Sequence, residues 1–175
     1  MTEMSRFEKN FCTGRMYGAF ARRFIAPWAL NGFHPTGEAL EIGSGSGAMA
    51  AQLLHEFQEL RIIATDYDPE LVAVTAQALK AFGGRATVYR ADAAALPFAD
   101  DRFDVVLSFA MFHHVPDWKR AVAETLRVLH PGGMLVGYDL SRLRQLDAEL
   151  RRLPFHDVRS RRSLGGLFLR FRVIK

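Results

Sequence analysis

Three glycines alternate with serine in Gly43-Ser44-Gly45-Ser46-Gly47, and the segment sits between a short apolar run, Ala39 to Ile42, and a longer amphipathic one. Glycine tolerates positive φ and carries no Cβ, so the backbone N–H groups of such a loop can lie directly against a ligand. The third glycine comes one residue too early for the dinucleotide fingerprint G-x-G-x-x-G, because Ala48 and Met49 fill the next positions. Taken alone the loop is equally readable as a turn. Asp66, nineteen residues beyond Gly47, closes the next apolar run. A carboxylate there can accept both hydroxyls of a ribose lying across the loop, a charge-assisted contact contributing roughly 1.5–3 kcal/mol. The alternative role of helix cap suits Asp68 better, since Asp68 directly precedes Pro69. Asp92-Ala93, followed by Leu96-Pro97-Phe98, sets a carboxylate among small and apolar residues. That suits an adenine ring, whose amine donates and whose faces need apolar walls.

His113 and His114 follow the apolar run Phe103 to Phe109. A histidine there is suited to proton transfer near neutral pH, with capping of the next helix as the alternative. His113, His114 and Asp117 are of metal-binding type, but adjacent residues rarely converge on one ion, and no metal is expected. Cys12 reads as a small buried hydrophobe rather than a nucleophile.

The elements that must position these residues follow from periodicity. Short apolar runs alternate with longer amphipathic ones from Glu38 onward, the pattern of βαβ units and a mainly parallel sheet. Strands are expected at Ala39–Ile42, Arg61–Thr65, Ala86–Arg90, Phe103–Phe109 and Met134–Tyr138. Helices are expected at Ala48–Phe57, Pro69–Phe82, Trp118–Leu129 and Arg142–Leu153, the third stopped by Pro131-Gly132-Gly133 and the fourth by Pro154. Val158 with its neighbours and the strictly alternating Leu167–Ile174 read as two last strands joined at Gly165-Gly166, a hairpin that adds an antiparallel strand. Residues 1–37 form a separate aromatic-rich appendage with mostly helical spacing, a candidate helical lid over a core of residues 38–175. Phe20 and Phe24 in it read mainly as packing residues, and Trp28 is open between packing and contact with a ligand.

With these residues in place, the sequence resembles the class I S-adenosylmethionine-dependent methyltransferases, in particular the small-molecule enzymes that include quinone-pathway methyltransferases. The resemblance covers about residues 38–140 and rests on Glu41-Ile42-Gly43-Ser44-Gly45-Ser46-Gly47, Asp66, Asp92-Ala93, Arg102-Phe103-Asp104-Val105-Val106 leading to Phe112-His113-His114, and Leu126-Arg127-Val128-Leu129-His130-Pro131-Gly132-Gly133. It implies a Rossmann-like, doubly wound α/β fold with a seven-stranded, mainly parallel sheet whose last strand is antiparallel. It implies S-adenosyl-L-methionine as cofactor and S-adenosyl-L-homocysteine as product. It further implies that the loop of Gly43, Ser44, Gly45 and Gly47, with Glu41, holds the methionine part, and that Asp66 with Tyr67 meets the ribose. Asp92 and Ala93 then meet the adenine, and Ser108 and Phe109 lie beneath the methionine end. In this family the N-terminal helix often folds over the cofactor, which makes Tyr17 and Arg15 further candidates; His113 or His114, from their place after the fourth strand rather than from the resemblance, is the candidate catalytic residue.

Composition bounds the partners. With 175 residues, 49% hydrophobic and 24% charged, the chain is one globular domain rather than a disordered segment, and its single cysteine excludes an internal disulfide. No apolar stretch approaches the roughly 20 residues that cross a bilayer, and no signal pattern opens the chain, so a cytoplasmic protein is expected. The net charge of +4 is uneven: residues 142–175 carry +7 and residues 1–141 carry −3. A solvated outer face is the plain reading of that tail, and an anionic partner the sharper one. The leading expectation is methyl transfer to a small, apolar acceptor, with peripheral membrane contact as an accompanying possibility. The alternatives are an RNA or protein methyltransferase docking through the basic C-terminal segment, and a non-catalytic cofactor-binding scaffold of the same fold.

Overall fold

The computed structural model describes residues 21–141, 143 and 145–175. Cys12, Arg15, Tyr17 and most of the aromatic appendage therefore lie outside the described residues. Strands β1 (Glu38–Ile42), β2 (Arg61–Asp66), β3 (Ala86–Arg90), β4 (Phe103–Phe109), β5 (Leu129–Leu140), β6 (Asp157–Ser163) and β7 (Phe168–Ile174) form one sheet in the order β3-β2-β1-β4-β5-β7-β6. β7 alone runs against the rest, inserted antiparallel between β5 and β6. The helices are α1 (Ala26–Leu30), α2 (Ala48–Glu56), α3 (Pro69–Leu79), α4 (Trp118–Val128) and α5 (Leu146–Arg152). This is the mainly parallel sheet read from the alternation of runs, in the Rossmann-like arrangement that the resemblance implies.

Both faces of the sheet are covered, which is why β4 is apolar along nearly its whole length. On one face Leu30, Leu53, Leu54 and Leu79 from α1, α2 and α3 pack on Ala39, Ile62, Val105 and Val136. On the other, Val122, Leu146, Leu150 and Phe112 pack on Leu40, Val106, Leu135 and Phe171. Leu169, Phe171 and Val173 point inward as their alternation predicts, whereas Leu167 falls in the turn and is exposed.

Several boundaries differ from the expected ones, each for a local reason. α3 stops at Leu79 and a 3₁₀ stretch, Lys80–Arg85, completes the segment, because Gly83 takes φ 56 and breaks the helix. α4 ends at Val128 because Leu129 already pairs with Phe103, so β5 starts five residues before the Met134 start that its apolar run indicates. The ladder is irregular across the intervening His130–Gly133 segment, with a register shift between Phe103 and Val105.

Arg127 anchors the loop beyond β3. Its Nη1 donates to the Phe98 carbonyl and to Asp100 at 2.8 and 2.7 Å. Its Nη2 donates to the Leu96 carbonyl and to Glu124 at 3.0 and 2.8 Å. Glu124 in turn accepts the Leu96 N–H at 2.8 Å. Replacing Arg127 leaves the Leu96 and Phe98 carbonyls without this donor and removes the charged partner of Glu124 and Asp100. Arg127→Met is expected to lower the unfolding free energy by about 2 kcal/mol, read from urea denaturation monitored by circular dichroism; an unchanged midpoint would refute the anchoring role.

Candidate functional site

In an open α/β sheet the ligand crevice lies beyond the carboxyl ends of the strands, where the strand order reverses. Here that point is between β1 and β4, whose ends are held in register as Glu41 beside Leu107 and Ile42 beside Ser108. The glycine loop leaves β1 at this place, with Gly43, Gly45 and Gly47 at φ 69, 57 and 72, all in the left-handed region. Gly43 has no room for a side chain, since a Cβ would stand 2.1 Å from Met111 Cγ. Gly45 has open space on that side instead. Gly47 then serves as N-cap of α2.

Acidic side chains set the shape of the loop. Asp66 Oδ2 accepts the Gly45 N–H at 2.9 Å and its Oδ1 accepts the Asp68 N–H at 3.0 Å. Thr75 donates to the Gly45 carbonyl at 2.9 Å and pairs with Ser44 Oγ at 3.2 Å, so α3 holds the loop from below. Burial raises the Asp66 carboxyl pKa above its ordinary value, although backbone N–H groups of Asp68, Gly45 and Tyr67 oppose that. Asp68 caps α3 by accepting the Glu70 N–H, the division of labour expected from Pro69.

Glu41 is 2% exposed, and its Oε2 has no hydrogen-bond partner. Burial, and to a smaller extent the Asp66 charge, push its carboxyl up to about 8. Ser108 Oγ, on the adjoining strand, is also buried without a partner. Orphaned polar atoms of this kind are rare in folded proteins and point to a ligand that completes them.

The remaining predicted residues that are described, Tyr17 not being among them, follow the carboxyl ends of the strands at the same edge. Asp92 folds back to accept the Ala94 N–H at 2.9 Å, with Ala93 buried beside it. Tyr67 lies under the Arg90 guanidinium, 5.4 Å from its ring centre. Phe109 contacts the Tyr138 ring at 6.0 Å, Tyr138 contacts Trp28 at 5.1 Å, and Phe168 meets both. Trp28, open in the sequence, thus packs into an aromatic wall at the end of β5. His113 and His114 occupy the 3₁₀ turn Phe112–His114, their rings 4.0 Å apart. Asp117, not a histidine, caps α4 by accepting the Arg120 N–H. Among the described residues no group of three His, Cys, Asp or Glu side chains is placed to hold a metal ion.

One partner is new. His113 Nδ1 lies 2.6 Å from Asp139 Oδ1, and Asp139 is wholly buried at the end of β5. The Leu140 N–H also donates to that oxygen, at 2.7 Å. A carboxylate on Nδ1 favours the tautomer with its hydrogen there and leaves Nε2 as acceptor. The sequence places Asp139 directly after the buried run Met134–Tyr138, and so at the same edge as His113, but does not show that the two meet.

The fold and these residues define a nucleotide-type cofactor site, and the comparisons name the class. The family described as "Methyltransferase domain" matches residues 40–137. The chain is 34% identical over 97 residues to a demethylmenaquinone methyltransferase of Thermus thermophilus, covering 55% of this chain and 44% of the relative. It is 30% identical over 142 residues to a ubiquinone/menaquinone biosynthesis C-methyltransferase of Geobacter sulfurreducens, covering 79% of this chain and 55% of the relative. The chain thus spans about half the length of these curated relatives. A SAM-dependent methyltransferase structure from Aquifex aeolicus shares the fold with TM-score 0.81 at 15% identity, over 98% of this chain and 99% of that one. The chain belongs to the S-adenosylmethionine-dependent methyltransferase family. The site fits that cofactor: backbone without Cβ at Gly45, carboxylates at the ends of β1 and β2, and orphaned polar atoms on Glu41 and Ser108 facing no protein partner.

The buried acid has a consequence for stability. A carboxyl whose folded pKa stands above its unfolded value near 4.5 contributes stability below that value and loses it as pH rises through about 8. Glu41→Gln removes the titration. The variant is expected to unfold at higher denaturant concentration than the parent protein at pH 9, with the gap closing toward pH 5; equal pH profiles would show that Glu41 is not held neutral.

Proposed function

We propose that this chain transfers a methyl group to a small, apolar acceptor, and that His113 takes the proton the acceptor loses. The His113–Asp139 contact carries the second part of this reading. When bound, S-adenosylmethionine supplies a methyl carbon on a positively charged sulfur, an already activated donor. The protein then has to align the acceptor, exclude water and accept a proton. Asp66 would accept the ribose hydroxyls through lone pairs left over from the Gly45 and Asp68 contacts, each carboxylate oxygen having two. Asp92 would meet the adenine amine, the glycine loop and Glu41 the methionine end, and Ser108 and Phe109 its underside.

The apolar acceptor is supported by the walls that adjoin this edge. Met111 packs on Gly43, and Phe109, Tyr138 and Trp28 form contiguous rings. The relatives, a demethylmenaquinone methyltransferase and a ubiquinone/menaquinone biosynthesis C-methyltransferase, point the same way. On an acceptor carbon or hydroxyl the bond to methyl would form as the methyl–sulfur bond breaks, S-adenosylhomocysteine being the leaving group, and the acceptor would give up a proton. Nε2 of His113 is the acceptor for it, and Asp139 orients the ring and stabilises the imidazolium.

Calorimetric titration with S-adenosylhomocysteine, with NAD as control, tests the cofactor site. Binding of the first ligand alone is expected, weakened about tenfold or more in Asp66→Ala through loss of a charge-assisted contact. Absence of binding in folded, ligand-free protein would remove the enzyme reading. With labelled methyl donor and a demethylated naphthoquinone, His113→Ala is expected to reduce kcat by roughly 10²–10⁴-fold while leaving S-adenosylhomocysteine affinity unchanged. A full rate in that variant would dismiss His113 as base without touching the cofactor site.

A further inference from the structure

The C-terminal hairpin carries a feature that methyl transfer does not use. In the β6–β7 ladder Arg161 stands directly opposite Arg170, and Arg159 directly opposite Arg172. Opposite residues of an antiparallel pair project from the same face, so the four side chains form one cationic square. This is the face on which α1 packs, turned away from Leu169, Phe171 and Val173. Like charges directly opposite one another destabilise a sheet. Among the described residues Arg159 is ion-paired, with Asp157 at 2.7 Å, and Arg161, Arg170 and Arg172 have no carboxylate within salt-bridge distance. Arg170 is spent partly on backbone: it donates to the Trp28 carbonyl at 2.9 Å. Burial, and then the charges of Arg161 and Arg172, hold the Arg170 pKa below the ordinary arginine value.

The square borders a hollow. A cleft of about 180 Å³ lies between the end of α1, at Ala29 and Asn31, and the four arginines. We propose that this cleft is a binding site for a phosphoryl oxyanion. The guanidinium fork matches two phosphate oxygens at once, and a multiply charged anion offsets the repulsion between facing arginines that a single carboxylate leaves in place. The charge is gathered around one cleft instead of running as a stripe that could track a backbone, which favours a compact anion over a nucleic-acid strand. Through Arg170 the site also touches Trp28, and so the aromatic wall at the end of β5.

Pyrophosphate serves as the probe for a free ligand, and vesicles of phosphatidylglycerol in phosphatidylcholine for a lipid headgroup. Thermal unfolding and calorimetry are run at matched ionic strength on the whole chain, on Arg161→Gln and on Arg172→Gln. Pyrophosphate is expected to raise the unfolding temperature by a few degrees where sodium chloride does not. Each variant is expected to bind it about tenfold more weakly, as loss of a charge-assisted contact predicts. Without anion each variant should unfold at the same temperature as the parent or higher, because one like-charged pair is gone. Vesicle binding that pyrophosphate competes away assigns the oxyanion to a headgroup; pyrophosphate binding without vesicle retention assigns it to a free ligand. An unchanged unfolding temperature in the parent chain, binding in both variants as tight as in the parent, or binding to RNA that pyrophosphate does not displace overturns the proposal.

Discussion

The hydrogen bonds accepted by Asp66 are the constraint on which the site depends. One carboxylate at the tip of β2 holds the Gly45 N–H of the glycine loop on one oxygen and the Asp68 N–H at the start of α3 on the other. The loop leaves β1, α3 follows β2, and Thr75 of α3 reaches back to the Gly45 carbonyl. Three segments separated in sequence are thereby closed into one ring of contacts. The left-handed backbone at Gly43, Gly45 and Gly47 is held in place by that ring, since a loop of such residues has many other conformations open to it.

The same edge collects negative charge in an unusual state. Glu41 is buried against Asp66, and desolvation with like-charge repulsion keeps it protonated near neutral pH. A positive charge placed beside such an acid favours its ionised form, which burial and the neighbouring carboxylate disfavour. Positive charge has been moved to the other end of the chain, into the β6–β7 hairpin. The molecule is electrically polarised along its own sequence, and each end repels the charge type that the other attracts.

Much of this is legible in the sequence alone. Parallel strands start and end together, so once Ala39–Ile42, Arg61–Thr65 and Ala86–Arg90 are read as strands, the glycine loop, Asp66 and Asp92 fall on one edge without further information. The antiparallel hairpin was legible from the alternation around Gly165-Gly166. What was hidden depends on contacts between distant residues. The pairing of His113 with Asp139 requires β4 and β5 to be neighbours in a particular register, with Phe109 beside Tyr138. Trp28 finds its place through Arg170, 142 residues away, which no local pattern reveals. The early start of β5 at Leu129 is likewise a tertiary effect, because Phe103 supplies the partner that ends α4.

Among the described residues β6 is the outermost strand on its side of the sheet and pairs with β7 alone, which leaves its other row of backbone N–H and C=O groups without a strand partner there. Such a row is a template for a second chain, and the risk grows with strand length and flatness. The sequence Asp157-Val158-Arg159-Ser160-Arg161-Arg162-Ser163 carries three arginines against one aspartate. Two molecules meeting edge to edge along β6 would bring those arginines face to face, so the sheet ends where it does partly because it cannot be copied onto itself. Neutralising the strand, by solvent conditions or by substitution of its arginines with apolar residues, would convert that boundary into a growing edge.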